Sequence, residues 1–180
     1  MCTTIALVII TGLSCTELAS NIGLLINKKL LVQKMPEPIK SHEWHGSTML
    51  GSKCMLIGGH FSRTCETFDF STQTWAKDSK LPKLLQQFAV ANSHGKIFIS
   101  GGFKTMSKVP TSAIYRHSHG EWDKLSTKLP LKLNQHLVAS ISASQFLIFG
   151  GESKHEYNTH TIVFDAEKET VQTEHPIELD

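Results

Sequence analysis

Short apolar runs recur along this chain, each closed by glycine and followed by a polar stretch. They are Met55-Leu56-Ile57 before Gly58-Gly59, Ile97-Phe98-Ile99 before Ser100-Gly101-Gly102, and Leu147-Ile148-Phe149 before Gly150-Gly151. A brief run without alternation predicts a strand covered on both faces. Ahead of each run lies a more mixed segment, at residues 45–50, 88–91 and 136–141. Its small residues (Gly46, Ser47, Ala89, Ala91, Ala139, Ser140) suit a crowded interior strand. Between the two lie tight-turn signals at 51–53, 92–95 and 142–145, so each pair reads as a hairpin.

The pattern continues after the glycines. A bulky residue precedes another by seven positions in Phe68 and Trp75, Tyr115 and Trp122, and Phe164 and Val171. Turn residues separate them at 71–73, 117–120 and 166–168, which predicts a third and a fourth strand. Pro36, Pro82, Pro130 and Pro176 then close each unit, at spacings of 46, 48 and 46. Apolar run, paired glycine, aromatic, Trp and proline in one order, three times over, constitute an internal repeat.

This repeat resembles the kelch repeat, whose period is about 50 residues. The resemblance covers about residues 36–176, with two departures: Val171 stands where Trp is expected, and Phe replaces the usual Tyr in two units. It implies an all-β fold, an incomplete propeller of four-stranded blades stacked face to face. The expected division is a degenerate first blade at 1–36, blades at 37–82, 83–130 and 131–176, and a tail at 177–180. In the first blade, Thr11-Gly12 replaces the glycine pair, residues 5–10 the apolar run, and 24–26 and 30–32 the next strands around a turn at 27–29. Large aromatics at 68, 115 and 164 and the tryptophans at 75 and 122 are expected to be buried between blades. The expected chain opens inside one blade and stops before the inner strand of another. The expectation is therefore a fragment or truncated product, or a half-propeller that associates through its open end blades.

Composition changes this picture little. The 180 residues carry a net charge of +2, so no nucleic-acid surface is expected. Cys2, Cys15, Cys54 and Cys65 lack CxxC spacing, which predicts idle thiols in a reducing, cytoplasmic setting and neither zinc nor a disulfide framework. The apolar stretch at 5–10 is far too short to span a bilayer. The alternative for residues 1–14 is a secretion signal, which would make the protein secreted, but the stretch lacks a basic leading region.

Candidate chemistry is sparse. The glycine pairs precede polar loops and strands, not helices, so they are not phosphate cradles. His117 with His119, His42 with His45, and His155 with His160 have short spacings. They are read as solvated residues, the first two at an outer turn, and not as metal ligands. A Ser-His-Asp site assembles in space and is not visible in sequence. The ligand sets of kelch enzymes, such as copper radical oxidases and a sialic-acid epimerase, are not recognisable, so no catalytic residue, cofactor or metal is assigned. The expected function is protein binding, by resemblance to kelch adaptors, through one rim carrying the long loops at 60–65, 103–111, 152–159, 76–87 and 123–135. The residues expected to grip a protein partner are Phe61, Arg63, Gln87, Phe103, Lys104, Lys108, Gln135, His136, His155 and Tyr157, the basic ones suiting an acidic peptide. The alternative is a small-molecule or enzymatic site at the propeller axis, near His45 and His136.

Overall fold

A computed structural model describes the backbone at residues 21–26, 29–34 and 174–176, and backbone with side chains at 36–40, 45–104, 109–154 and 156–173. Among these residues the regular structure is strand, with no helix. Strand β1 (Asn21–Ile26) pairs antiparallel with β2 (Lys29–Lys34), Ile26 opposite Lys29. The two strands expected at 24–26 and 30–32 are therefore paired, with Lys29 in β2 and residues 27–28 of the expected turn outside the described residues. The apolar stretch at 5–10 lies outside the described residues.

Three four-stranded meanders follow. The first is β3 (Gly46–Leu50), β4 (Lys53–Ile57), β5 (Cys65–Asp69) and β6 (Thr74–Lys77), in that order across the sheet. The second begins with the short β7 (Leu85–Gln86). Its body is β8 (Ala89–Ser93), β9 (Lys96–Ser100), β11 (Val109–Ser118) and β12 (Glu121–Leu133), and the short β10 (Phe103–Lys104) joins β7 to β11. The third is β13 (Leu137–Ser140), β14 (Gln145–Phe149), β17 (His160–Asp165) and β18 (Thr170–Pro176), with a small hairpin of β15 (Glu152–Ser153) and β16 (Glu156–Tyr157) beside it. Each four-stranded meander has the form of a propeller blade, and the fold is an incomplete all-β propeller.

Strand alternation explains how the blades stack. In β9, Ile97 and Ile99 point back to the first meander and join Met55, Ile57 and Cys65. Phe98, between them, points forward and joins Phe146, Ile148, Ile162 and Phe164 of the third. A strand in the middle of a stack has no solvent face, so its apolar run is continuous. The inner strands approach closely: a Cβ added at Gly46 would lie 2.3 Å from Val90 and 2.5 Å from the Phe88 ring. The second glycine of a pair has its own reason. An added Cβ would lie 2.8 Å from the Gln86 carbonyl oxygen at Gly102 and 2.7 Å from that of Asn134 at Gly151. Both glycines have positive φ, so the position excludes side chains on two counts.

The structure corrects three expectations. Residues 123–133, expected in a long loop, belong to β12, whose pairing with β11 is irregular between Thr111 and Tyr115. The turn expected at 117–120 is only His119-Gly120. His117 is a strand residue, 4% exposed, and not a solvated turn residue. That shorter turn places Trp122 opposite His117 instead of Tyr115, whereas Phe68 does face Trp75 and Phe164 faces Val171. Third, Phe68, Tyr115 and Phe164 are buried, but Trp75 and Trp122 are half-buried. They lie on outermost strands, where one side of the indole meets solvent. Trp122 still packs against the first core cluster, and Trp75 donates its indole N–H to the Pro36 carbonyl at 2.8 Å.

Candidate protein-interaction rim

The paired glycines mark one rim. There the lead-in to each inner strand repeats as Leu85-Gln86-Gln87-Phe88 and Leu133-Asn134-Gln135-His136. In both, the second polar residue has a left-handed backbone, φ 57° at Gln87 and 55° at Gln135. The Gln135 amide donates to the Gln87 carbonyl at 3.0 Å, and the Gln135 side-chain amide donates to Gln87 Oε1 at 3.2 Å. Equivalent residues of neighbouring blades thus form a polar ladder. Gln87 is half-buried and Gln135 exposed.

Aromatic side chains stand outside this ladder. Phe61 is 62% exposed and Tyr157 is 85% exposed. Phe61 has φ 53° and its ring meets His60 edge-on at 4.1 Å. His60 Nδ1 lies 2.9 Å from Gln86 Oε1. Tyr157 sits at the end of the β15–β16 hairpin, opposite Glu152. Arg63 is exposed, but its Nε donates to the Leu81 carbonyl while Leu81 N–H donates back to the Arg63 carbonyl at 2.8 Å. The arginine therefore ties down the connection to the next blade as well as facing solvent. Phe103 is half-buried and Lys104 exposed, on the strand that pairs with Leu85 and Gln86. Lys108 and His155 lie outside the described residues.

His136 differs from the other rim residues. It is 4% exposed and sits where Phe88 sits one blade earlier. Its Nε2 lies 2.8 Å from Ser100 Oγ, its Nδ1 has no hydrogen-bond partner, and burial lowers its pKa to about 4. Asn134 is fully buried with its side-chain amide unpaired. The cleft beside Ser100 is lined by Ala91, Phe98, Ile114, Val138 and Phe146, so it offers one hydroxyl and otherwise apolar surface. The sequence reading missed Ser100, Asn134, Gln86 and His60. Aligning the two lead-in tetrapeptides would have exposed the middle two; Ser100 and His60 carry no such signal.

His117 meets Asp78 Oδ1 at 3.1 Å and Ser79 Oγ at 3.0 Å. Both contacts fall on the same ring nitrogen, and Ser79 Oγ donates to Asp78 Oδ1 at 2.9 Å. A catalytic triad needs the acid on one nitrogen and the nucleophile on the other. This cluster is instead a latch between the first and second meanders. Among the described residues, no three His, Cys, Asp or Glu side chains converge as metal ligands.

Relatives agree with the repeat. The "Kelch repeat and BTB domain-containing protein 1" of cowpox virus (strain Brighton Red) is 30% identical over 131 residues, which is 69% of this chain. The protein of that name from vaccinia virus (strain Copenhagen) is 30% identical over 132 residues. The chain belongs to the kelch-repeat family. It spans 23% of the length of these relatives. No family model matches the chain. The fold is also that of a solved structure titled "Structure of YjhT", at TM-score 0.72 and 12% identity, covering 79% of this chain and 54% of the other. In this kelch chain, then, the glycine-pair rim and its ladder belong to a familiar propeller scaffold.

Proposed function

We propose that this kelch chain is a non-enzymatic, cytoplasmic interaction module that grips a protein partner on its glycine-pair rim, as part of an adaptor or scaffold. The observation that carries the reading is the pairing of Phe61 and Tyr157, 62% and 85% exposed, with the Gln87–Gln135 ladder on the same rim. Large exposed aromatics are the residue type that anchors interfaces. Side-chain amides beside them can hydrogen-bond an extended peptide backbone. Lys104 and Arg63, both exposed, favour an acidic segment. The kelch repeats named in the viral relatives support this reading.

The test is affinity purification from cells with the wild-type chain and with a Phe61→Ala, Tyr157→Ala double variant. Any candidate partner is then titrated as purified protein against both. Tighter binding to wild type by at least tenfold supports the rim. Equal binding by the two chains overturns it.

A further inference from the structure

We infer that the face of β12 turned toward the first meander binds an acidic, extended segment of a protein partner, which adds as a strand to the edge of the second meander. This surface shares no residue with the Phe61–Tyr157 rim. The net charge of +2 is unevenly spread: residues 76–133 hold ten Lys and Arg against three Asp and Glu, a net +7. Strand alternation sorts the side chains of β12. Leu125, Leu129 and Leu133 join the core shared with the third meander. On the same side the Thr127 hydroxyl donates to the Glu169 carbonyl, and Asp123 accepts from Arg116 at 3.3 Å. The even positions face the other way, and Trp122 packs onto the core shared with the first meander. Lys124, Lys128 and Lys132 share that face, and all three are exposed.

Two further lysines are held on the same side. Lys80 and Lys83 are exposed on the connection between the first two meanders. That connection is fixed by the contacts of Asp78 and Ser79 with His117, the strand partner of Trp122. The neighbouring carboxylates are already engaged, Asp78 by Ser79 and His117, Asp123 and Glu169 by Arg116. Among the described residues none of the five lysines forms an ion pair. Like charges gathered on one surface repel, and a bound anion relieves that repulsion.

The strand edge selects the kind of anion. β12 has 13 residues and pairs with β11, and among the described residues no strand pairs with its other edge. Edge N–H and C=O groups accept an added strand. A peptide can continue that ladder, whereas a nucleic acid or a lipid surface cannot. Pro130 lacks an N–H, so the added strand pairs along 121–129 and leaves Lys132 to a carboxylate beyond it. Four strand residues span about 13 Å, the step from Lys124 to Lys128 and again to Lys132. A partner strand with Asp or Glu at every fourth position matches that step. The strip also offers no exposed aromatic ring on which bases would stack, since Trp122 is half-buried against the core.

Fluorescence anisotropy of a labelled peptide, Glu-Thr-Val-Thr in three repeats, titrated with the full 180-residue chain tests this. Saturable binding that weakens as salt is raised is expected. The same peptide with Gln in place of Glu should bind more weakly by about tenfold or more. A Lys124→Gln, Lys128→Gln, Lys132→Gln triple variant should lose about tenfold or more in affinity while keeping the β circular dichroism signal, because all three side chains are exposed. The Phe61→Ala, Tyr157→Ala variant should bind this peptide as wild type does. No binding by the wild type overturns the inference, as does equal binding by the triple variant or of the Gln peptide. Tighter binding of an oligothymidine or of phosphatidylserine vesicles overturns it too, since the strip would then be a general polyanion surface. Loss of binding in the rim variant but not in the lysine variant places the acidic peptide on the rim, which overturns this inference and leaves the rim reading standing.

Discussion

Gln135 repeats the conformation of Gln87 one blade later and bonds to it through both backbone and side chain, at 3.0 and 3.2 Å. Backbone in the left-handed region is tolerated by glutamine at modest cost and resisted by β-branched residues. Gln135→Val should therefore destabilise the chain by more than about 1 kcal/mol, while Gln135→Gly should stay within about 1 kcal/mol of wild type. Urea unfolding monitored by tryptophan fluorescence distinguishes the two.

His136 makes stability depend on pH. Its folded pKa, lowered to about 4 by burial, lies below its ordinary value of 6.5. As pH falls between these values the unfolded chain binds the proton first, so stability drops; above 6.5 the contribution is fully present, and below 4 it is lost. The full swing is on the order of 3 kcal/mol. His136→Phe, copying Phe88, should flatten the profile of unfolding free energy across pH 4 to 6.5. A wild-type profile already flat there would contradict the burial of the imidazole.

Trp122 and Trp75 should differ in what their loss costs. Trp122 packs onto the core shared by the first two meanders, lies 4.9 Å from the His117 ring, and reaches the Cys65 thiol. Trp75 rests on Phe68 at 5.0 Å near the edge of its blade. Trp122→Ala should cost about 3 kcal/mol and Trp75→Ala about half that, both below the upper range for fully buried aromatics. Equal costs in chemical denaturation would show that the edge indole is as enclosed as the other.

Cys54 and Cys65 should be chemically silent. They are 2% and 0% exposed, and burial pushes their pKa up to about 11 and about 12. A thiol in that state is almost wholly protonated near neutrality and a poor nucleophile. Iodoacetamide labelling read residue by residue by mass spectrometry should modify neither until urea unfolds the chain. Labelling of Cys65 in the native state would mean that the first and second meanders separate.

Much of the fold was legible before any coordinates. The runs at 55–57, 97–99 and 147–149 are second strands because a strand between two blades must be apolar throughout. Gly102 and Gly151 announce a rim because no side chain fits there. The rim was less legible. Phe61, Tyr157, Gln87 and Gln135 could be named from loop positions, but their exposure and mutual contacts depend on loop conformation. His136 was named as a rim residue, yet it lies beneath the rim, because its alternation parity aims it inward at Ser100.

By itself, the sequence determined the period, the strand order within each blade and the family resemblance. All three follow from local patterning: alternation, turn chemistry and glycine spacing repeat wherever the same physical demand repeats. Only the tertiary structure decided what long-range contact controls. It made residues 123–133 a strand by pairing them with β11. It buried His117 against Asp78 and Ser79, 39 and 38 residues away. It also left Leu137 open while covering its counterpart Ala89. Two positions with the same local pattern differ there because, among the described residues, one has a neighbouring blade in front of it and the other does not.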